Sequence, residues 1–157
     1  MTEEHKYSRG LPLSIEPYRH SDLDDMMEIE NQSFPAPWTR NSYEQLAVLD
    51  DVDIWIARLG PELVGYMLLQ RSGDDMELHT FAVKPKYRRQ GIGAKLLEHM
   101  RDQARQKGVI RIHLKVRPSN YEAKALYEKF GFKIMGMWHA YYHDDGEDAL
   151  VMKMELN

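Results

Sequence analysis

Apolar and polar positions alternate along this 157-residue chain in two periods, and the changes between them mark its elements. Leu13 and Ile15, with Tyr18, stand among polar residues at period two and predict a first strand. Leu23, Met26, Met27 and Ile29 then follow helical spacing to about Ser33, behind an N-cap expected at Ser21 and acidic residues from Asp24. Pro35 and Pro37 break that helix, and Thr39 opens a second with Tyr43, Leu46, Ala47 and Leu49 inward. Three strands follow: Val52–Leu59, Leu63–Leu69 and Glu77–Val83, separated by Gly60-Pro61-Glu62 and by Ser72-Gly73-Asp74-Asp75. Ile92, Leu96, Leu97, Met100 and Ala104 form the apolar stripe of a long helix that Gly108 closes. From Val109 to Arg117 the alternation is clean, with Ile110, Ile112, Leu114 and Val116 on one face. Ser119 is the expected cap of the next helix, which carries Ala123, Leu126, Tyr127 and Phe130 and stops at Gly131. Phe132–Tyr142 and Leu150–Leu156 pair as a final hairpin across Asp144-Asp145-Gly146.

The resulting order β-α-α-β-β-β-α-β-α-β-β is an α/β (α+β) arrangement with a mixed, mostly antiparallel sheet of about seven strands and four helices. Residues 1–12 are expected to be a flexible arm and 13–157 one domain, since the length suits a single core. The hydrophobic share of 43% suffices for that core. Net charge is -4, so no global basic field argues for nucleic acid. No cysteine is present, which removes disulfides, thiolate catalysis and cysteine-based zinc sites together. His139, His143 and the nearby aspartates have no recognised metal spacing, so no metal is assigned. The polar start MTEEHKYSRG has no apolar core of a signal peptide, and no apolar run approaches a membrane span. A cytoplasmic protein without membrane or nucleic-acid partners is therefore expected.

Chemistry concentrates between Glu77 and Lys95. A strand ends at Pro85, four cations (Lys84, Lys86, Arg88, Arg89) fall within six residues, and Gly91 and Gly93 introduce the long helix. A glycine-flanked helix start directs free N–H groups and a positive dipole end at an anion. The expected ligand is a pyrophosphate. The dinucleotide fingerprint fails, because its third glycine would stand at Leu96, and the P-loop pattern is absent.

The loop Arg88-Arg89-Gln90-Gly91-Ile92-Gly93 after that strand resembles motif A of the GNAT N-acetyltransferases, which holds the pyrophosphate of acetyl-CoA. The element order is similar to the GNAT fold as well. There the strand before the loop and the strand Val109–Arg117 run parallel and splay apart around the cofactor. Three further stretches narrow the resemblance: Glu30-x-x-Ser33-Phe34-x-x-Pro37-Trp38, then Val116-Arg117-Pro118-Ser119-Asn120 with Ala125-Leu126-Tyr127-Glu128-x-Phe130-Gly131-Phe132, and Tyr141-Tyr142 before Asp145-Gly146-Glu147-Asp148-Ala149. Together they resemble the RimI-type acetyltransferases, which modify the N-terminal alanine of a ribosomal protein, and the archaeal and eukaryotic N-terminal acetyltransferases. The likeness spans roughly residues 13 to 155.

The resemblance implies acetyl-CoA as co-substrate and an amine acceptor, most concretely a protein N-terminus such as that of a ribosomal protein. It implies cofactor contacts from Phe81, Ala82 and Val83, from Arg88, Arg89, Gln90, Gly91, Ile92, Gly93 and Ala94, and from Asn120. The backbone of Phe81 and Val83 would pair with the pantetheine arm, and an N–H near Val83 would face the oxyanion. Tyr127 matches the tyrosine that protonates the departing thiolate. Trp38, Tyr141 and Tyr142 would wall the peptide entrance, with Glu30 on the substrate side. The acidic run Asp144, Asp145, Glu147, Asp148 reads as a solvated turn.

One residue departs from the pattern. RimI-type enzymes carry Leu-Glu-Val-Arg on the strand after the loop helix, with glutamate as general base. Here the stretch is Leu114-Lys115-Val116-Arg117, and a protonated lysine cannot take a proton. Glu77 is the first alternative, directly or through water, with His79, Glu30 and His113 behind it. A GNAT enzyme acting on a small amine, and an acyl-CoA-binding module without turnover, are the competing readings.

Overall fold

A computed structural model describes residues 10–156. Its strands are β1 (Leu13–Pro17), β2 (Val52–Leu59), β3 (Glu62–Ser72), β4 (Asp75–Val83), β5 (Arg111–Val116), β6 (Lys133–Trp138) and β7 (Ala149–Glu155). Its helices are α1 (Leu23–Ser33), α2 (Arg40–Ala47), α3 (Ile92–Gln106) and α4 (Tyr121–Phe130). Most of the arm expected over 1–12 lies outside the described residues. Pro12 is tied down, its carbonyl accepting from Gly60 N.

The strands form one sheet in the order β1-β2-β3-β4-β5-β7-β6. Among the described strands only β4 and β5 run parallel. α3 and α4 cover one face, where Leu96, Leu97, Met100 and Tyr127 pack on Met67, Leu69, Met76, Leu78, Ile112 and Leu114. α1 and α2 cover the other, where Leu23, Met26, Ile29 and Tyr43 pack on Ile54, Ile56, Tyr66 and Leu68. Each helix buries the stripe its spacing marks, so the sheet is sandwiched between two apolar layers.

Several boundaries moved. Ser21 is not the cap of α1; it lies in a 3-10 turn, His20–Asp22, and the Asp22 carboxylate accepts from Arg19 N at 2.9 Å. Ser119 does not cap α4 either, because Asn120 Oδ1 accepts from Ala123 N at 3.2 Å. Ile110 stands before β5 and is exposed, since Val109 and Ile110 form the turn that joins α3 to the sheet. Leu49 is likewise exposed at the end of α2. The strand expected over Phe132–Tyr142 ends at Trp138, and residues 139–148 form a separate loop.

The feature that builds the site is a bulge in β4. Leu68 pairs with Thr80 but Leu69 pairs with Leu78, leaving His79 as an extra residue. Before it, Met76 and Leu78 face α3; after it, Phe81 and Val83 do, while Ala82 faces α1. The parallel pairing of β4 with β5 also stops there, at Leu78↔Leu114. From His79 and Lys115 onward the two strands are open to each other.

Candidate active site

On the α3–α4 side of that opening lies a cleft of about 440 Å³. Phe81, Ala82, Val83, Arg88, Arg89, Gly91, Gly93, Ala94 and Asn120 line it, together with Ser33, Phe34 and Leu126. Two expected members stand apart. The Ile92 side chain is sealed in the core, so only its backbone can reach the cleft. Gln90 turns back on the loop and donates to Lys86 O at 3.4 Å.

The loop geometry suits an anion. Arg89 (φ 64°) and Gly91 (φ 91°) are both left-handed, a turn conformation that aims successive N–H groups to one side. The N–H groups of Ile92, Gly93 and Ala94 have no acceptor within a helix that begins at Ile92. A Cβ on Gly93 would come within 3.1 Å of Phe81 Cζ and 3.3 Å of Leu126 Cδ2, so glycine keeps the cleft floor open. Lys84 N donates to Val64 O at 2.7 Å, which turns the N–H groups of Phe81 and Val83 the opposite way, toward the open gap.

The cations of the loop have jobs of their own. Lys84 Nζ and Tyr87 OH both donate to Glu62, at 2.8 and 2.7 Å, and these bonds hold the Glu62 carboxyl below its ordinary pKa. Arg88 donates to Val83 O at 2.9 Å and to Ser33 Oγ at 3.0 Å, tying the loop to α1. Arg89 reaches Glu122 at 3.2 Å across the mouth, an exposed contact that a phosphate can replace.

Tyr127 lies under the gap, its ring packed on Phe81 and Phe132 with centroids 6.0 and 5.8 Å away. Burial pushes its phenol above the ordinary value, with the nearby Tyr142 adding to the shift. The hydroxyl therefore keeps its proton at neutral pH and can donate it. Asn120 lines the cleft while its Oδ1 caps α4, which leaves its amide N–H₂ for a ligand.

On the α1–α2 face of the opening, Lys115 Nζ bonds Glu77 Oε2 at 3.0 Å. The same ammonium lies 5.6 Å from the Trp138 ring centroid and 5.8 Å from that of Tyr141. His79 Nδ1 is 3.6 Å from Glu77 Oε2, and its ring leans on Trp38 at 6.1 Å. Trp38, Trp138 and Tyr141 thus surround a Glu77–Lys115–His79 group. Tyr142 meets Tyr141 edge-to-face at 5.0 Å and lies under the Arg117 guanidinium at 3.9 Å. Burial is the main cause that lifts its pKa to about 12. His113 sits lower on β5, 3.5 Å from Asp75 and away from the gap.

Two expectations about side chains need correction. Glu30 is 1% exposed and accepts from Tyr43 OH at 2.6 Å, Tyr66 OH at 2.5 Å and Trp38 N at 2.9 Å. It is a core acceptor that positions Trp38, not a substrate-side base. The acidic run is not a solvated turn. Asp144 and Asp145 each hold Arg117 through two bonds of 2.9–3.1 Å, and Glu147 adds a third partner at 3.3 Å. Glu147 also accepts from Ser119 N and Oγ at 2.8 Å, and Asp148 from Ala140 N. Arg117 therefore pins the 139–148 loop beside the gap. Nothing local marks the clamp, whose partners lie 27–30 positions along the chain, or the bulge at His79.

Comparison with known proteins bears on this geometry. Residues 23–132 match the acetyltransferase (GNAT) family. A protein of Mycobacterium tuberculosis (strain ATCC 25618 / H37Rv) named N-alpha-acetyltransferase RimI is 34% identical over 150 residues, 92% of this chain and 93% of the relative. The [ribosomal protein bS18]-alanine N-acetyltransferase of Escherichia coli (strain K12) is 32% identical over 139 residues, 87% of this chain and 93% of the relative. The crystal structure of the ribosomal-protein-S18-alanine N-acetyltransferase from Escherichia coli superposes with a TM-score of 0.86 at 30% identity, covering 93% of this chain and 95% of that one.

Proposed function

This chain belongs to the acetyltransferase (GNAT) family and is an acetyl-CoA-dependent N-acetyltransferase, and we propose that its acceptor is the N-terminal α-amine of a protein, with a ribosomal protein the leading candidate. Bound acetyl-CoA supplies a thioester whose carbonyl carbon accepts the amine. The cleft residues fit it. Free N–H groups at the start of α3 and the Arg89 guanidinium meet the pyrophosphate, and the Phe81 and Val83 N–H groups face the pantetheine arm and the oxyanion. Tyr127, held protonated by burial, gives its proton to the departing thiolate.

The observation that carries the acceptor assignment is the set of rings around the mouth of the gap. Trp38, Trp138 and Tyr141 form a rigid wall there. An α-amine has no side-chain stem, so its site must admit backbone closely, and flat rings do this without loss of flexible side-chain entropy. The named activities of the relatives point the same way. A polycationic small amine is less well served: Asp75 is taken by Arg111 at 2.8 Å and Glu77 is shared with Lys115 at 3.0 Å, so these two carboxylates do not offer the several free negative charges that a polycation pairs with. The binding-module reading rested on Lys115 standing at the base position. Lys115 pairs there with Glu77 at 3.0 Å, and His79 stands beside the pair, so a titratable group other than Lys115 is at hand. A ribosomal-protein acceptor places the reaction in the cytoplasm.

Thiol release from acetyl-CoA tests this, with short peptides beginning Ala, Ser or Met, a blocked-terminus control and an internal-lysine control. Turnover on free α-amines and none on the controls is expected. Turnover on lysine or on small amines alone would overturn the acceptor assignment.

A further inference from the structure

The base is the unfilled role in this site. We propose that His79 takes the proton from the incoming ammonium through Nδ1, with Glu77 as the second acceptor that holds the ammonium in place. This rests on the amine-acetylating reading above.

Placement comes first. His79 is the bulged residue of β4 and the first residue past the last β4–β5 pair, so it stands at the mouth of the gap. Its ring lies on the α1–α2 face beside Trp38, among the groups expected to receive the acceptor.

The tautomer follows from its partners. Gln70 Nε2 donates to Asp51 Oδ2 at 3.1 Å, which fixes the amide and leaves Gln70 Oε1 toward His79. His79 Nε2 lies 2.9 Å from that oxygen and must be the donor. Nδ1 therefore keeps its lone pair, and it points to the Glu77 side.

The spacing suits a shared guest. Nδ1 and Glu77 Oε2 are 3.6 Å apart, too far for a bond to each other and near enough for one ammonium to reach both. Glu77 is already engaged by Lys115 at 3.0 Å, so it anchors charge rather than accepting a proton. The charged groups facing the ring are Glu77 on its own strand, Lys115 from β5 and Asp51 behind Gln70; the Asp75–His113 pair lies further down the same face. Burial lowers the imidazole's pKa from 6.5, with Glu77 opposing and Lys115 assisting, so the ring is a free base at neutral pH.

The step balances. One ammonium proton passes to Nδ1, and the imidazolium so formed is held by Glu77. The amine lone pair makes the C–N bond as the thioester C–S bond breaks. Tyr127 protonates the thiolate and recovers a proton from the new amide nitrogen, and His79 returns its proton to water.

Two measurements decide it. Thiol release is followed from pH 5.5 to 9 for the parent and for His79→Gln, which keeps a donor toward Gln70 but cannot titrate in this range. The expected result is a fall in kcat/KM of roughly a hundredfold, the scale of general-base catalysis, with loss of the acid limb below pH 6.5 and unchanged acetyl-CoA affinity. His79→Gln turnover within threefold of the parent, or an unaltered acid limb, overturns the proposal. Failure of every peptide in the parent, with small amines active, refutes the acceptor assignment instead, and the same variant is then compared on the small amine. Nitrogen-15 NMR of the imidazole needs no acceptor: a proton on Nδ1 of the neutral ring overturns the proposal by itself.

Discussion

Replacing Glu30 by alanine is expected to lower the melting temperature by about 8–16 °C. The carboxylate is sealed between α1, α2 and β3 and accepts three hydrogen bonds, from Tyr43 OH, Tyr66 OH and Trp38 N. Burial raises the pKa of both phenols, so both remain donors across the working range. Removing the acceptor strands two buried hydroxyls and a backbone N–H. Each such group costs about 1–3 kcal/mol. The hydroxyls of Tyr43 and Tyr66 can recover part of this from each other and from Thr80, so the net loss is roughly 4 kcal/mol. At about 2–4 °C per kcal/mol for a chain of this size, the stated shift follows. Thermal unfolding by circular dichroism measures it. Glu28→Ala, an exposed change on the same helix, is the control and should lie within about 0.5 kcal/mol of the parent. Glu30→Gln keeps one acceptor oxygen and should fall between the two. A Glu30→Ala shift below about 3 °C would refute the claim that this acceptor holds α1 and α2 to the sheet.

Three further outcomes are expected. Gly93→Ala should weaken acetyl-CoA binding about tenfold by calorimetry, because its Cβ meets Phe81 at 3.1 Å and Leu126 at 3.3 Å; parental affinity would show that no close approach is needed there. Tyr127→Phe should cut kcat by roughly 10²-fold with little change in melting temperature, since its hydroxyl makes no hydrogen bond among the described residues; an unchanged kcat would remove it as the acid. Stability should be greatest above pH 6.5 and fall as the pH drops. His99 is held below 6.5 by burial against Trp55, so the unfolded chain binds protons first on acidification. His99→Phe should flatten that acid decline in melting temperature, and an equally steep decline would sink the assignment.

Much of the fold was legible because it is written in local periods. The stripe Ile92, Leu96, Leu97, Met100, Ala104 predicted the buried face of α3, and Ile112, Leu114, Val116 that of β5. The glycine-bracketed loop and the position of Tyr127 were equally readable, since each depends on a short run of residues. The caps were less so: Asn120 took the role expected of Ser119, and α1 starts after Asp22 with no side-chain cap, the Asp22 carboxylate accepting from Arg19 N in the preceding turn instead.

What the chain alone determined was the order and facing of its elements and the presence of an anion-binding helix start, all set by interactions within a few residues. The tertiary structure decided the rest. The bulge at His79 depends on how β3 and β4 align, and it alone turns Phe81 and Val83 toward the cofactor side, away from the acceptor face that simple alternation gives Glu77 and His79. The pairing of Lys115 with Glu77 joins residues 38 positions apart, and the Arg117 clamp reaches 27–30 positions along the chain. Charges so separated in sequence carry no local mark of their partners. Whether a carboxylate is a base, an anchor or a core acceptor depends on which groups the fold brings within about 3 Å of it.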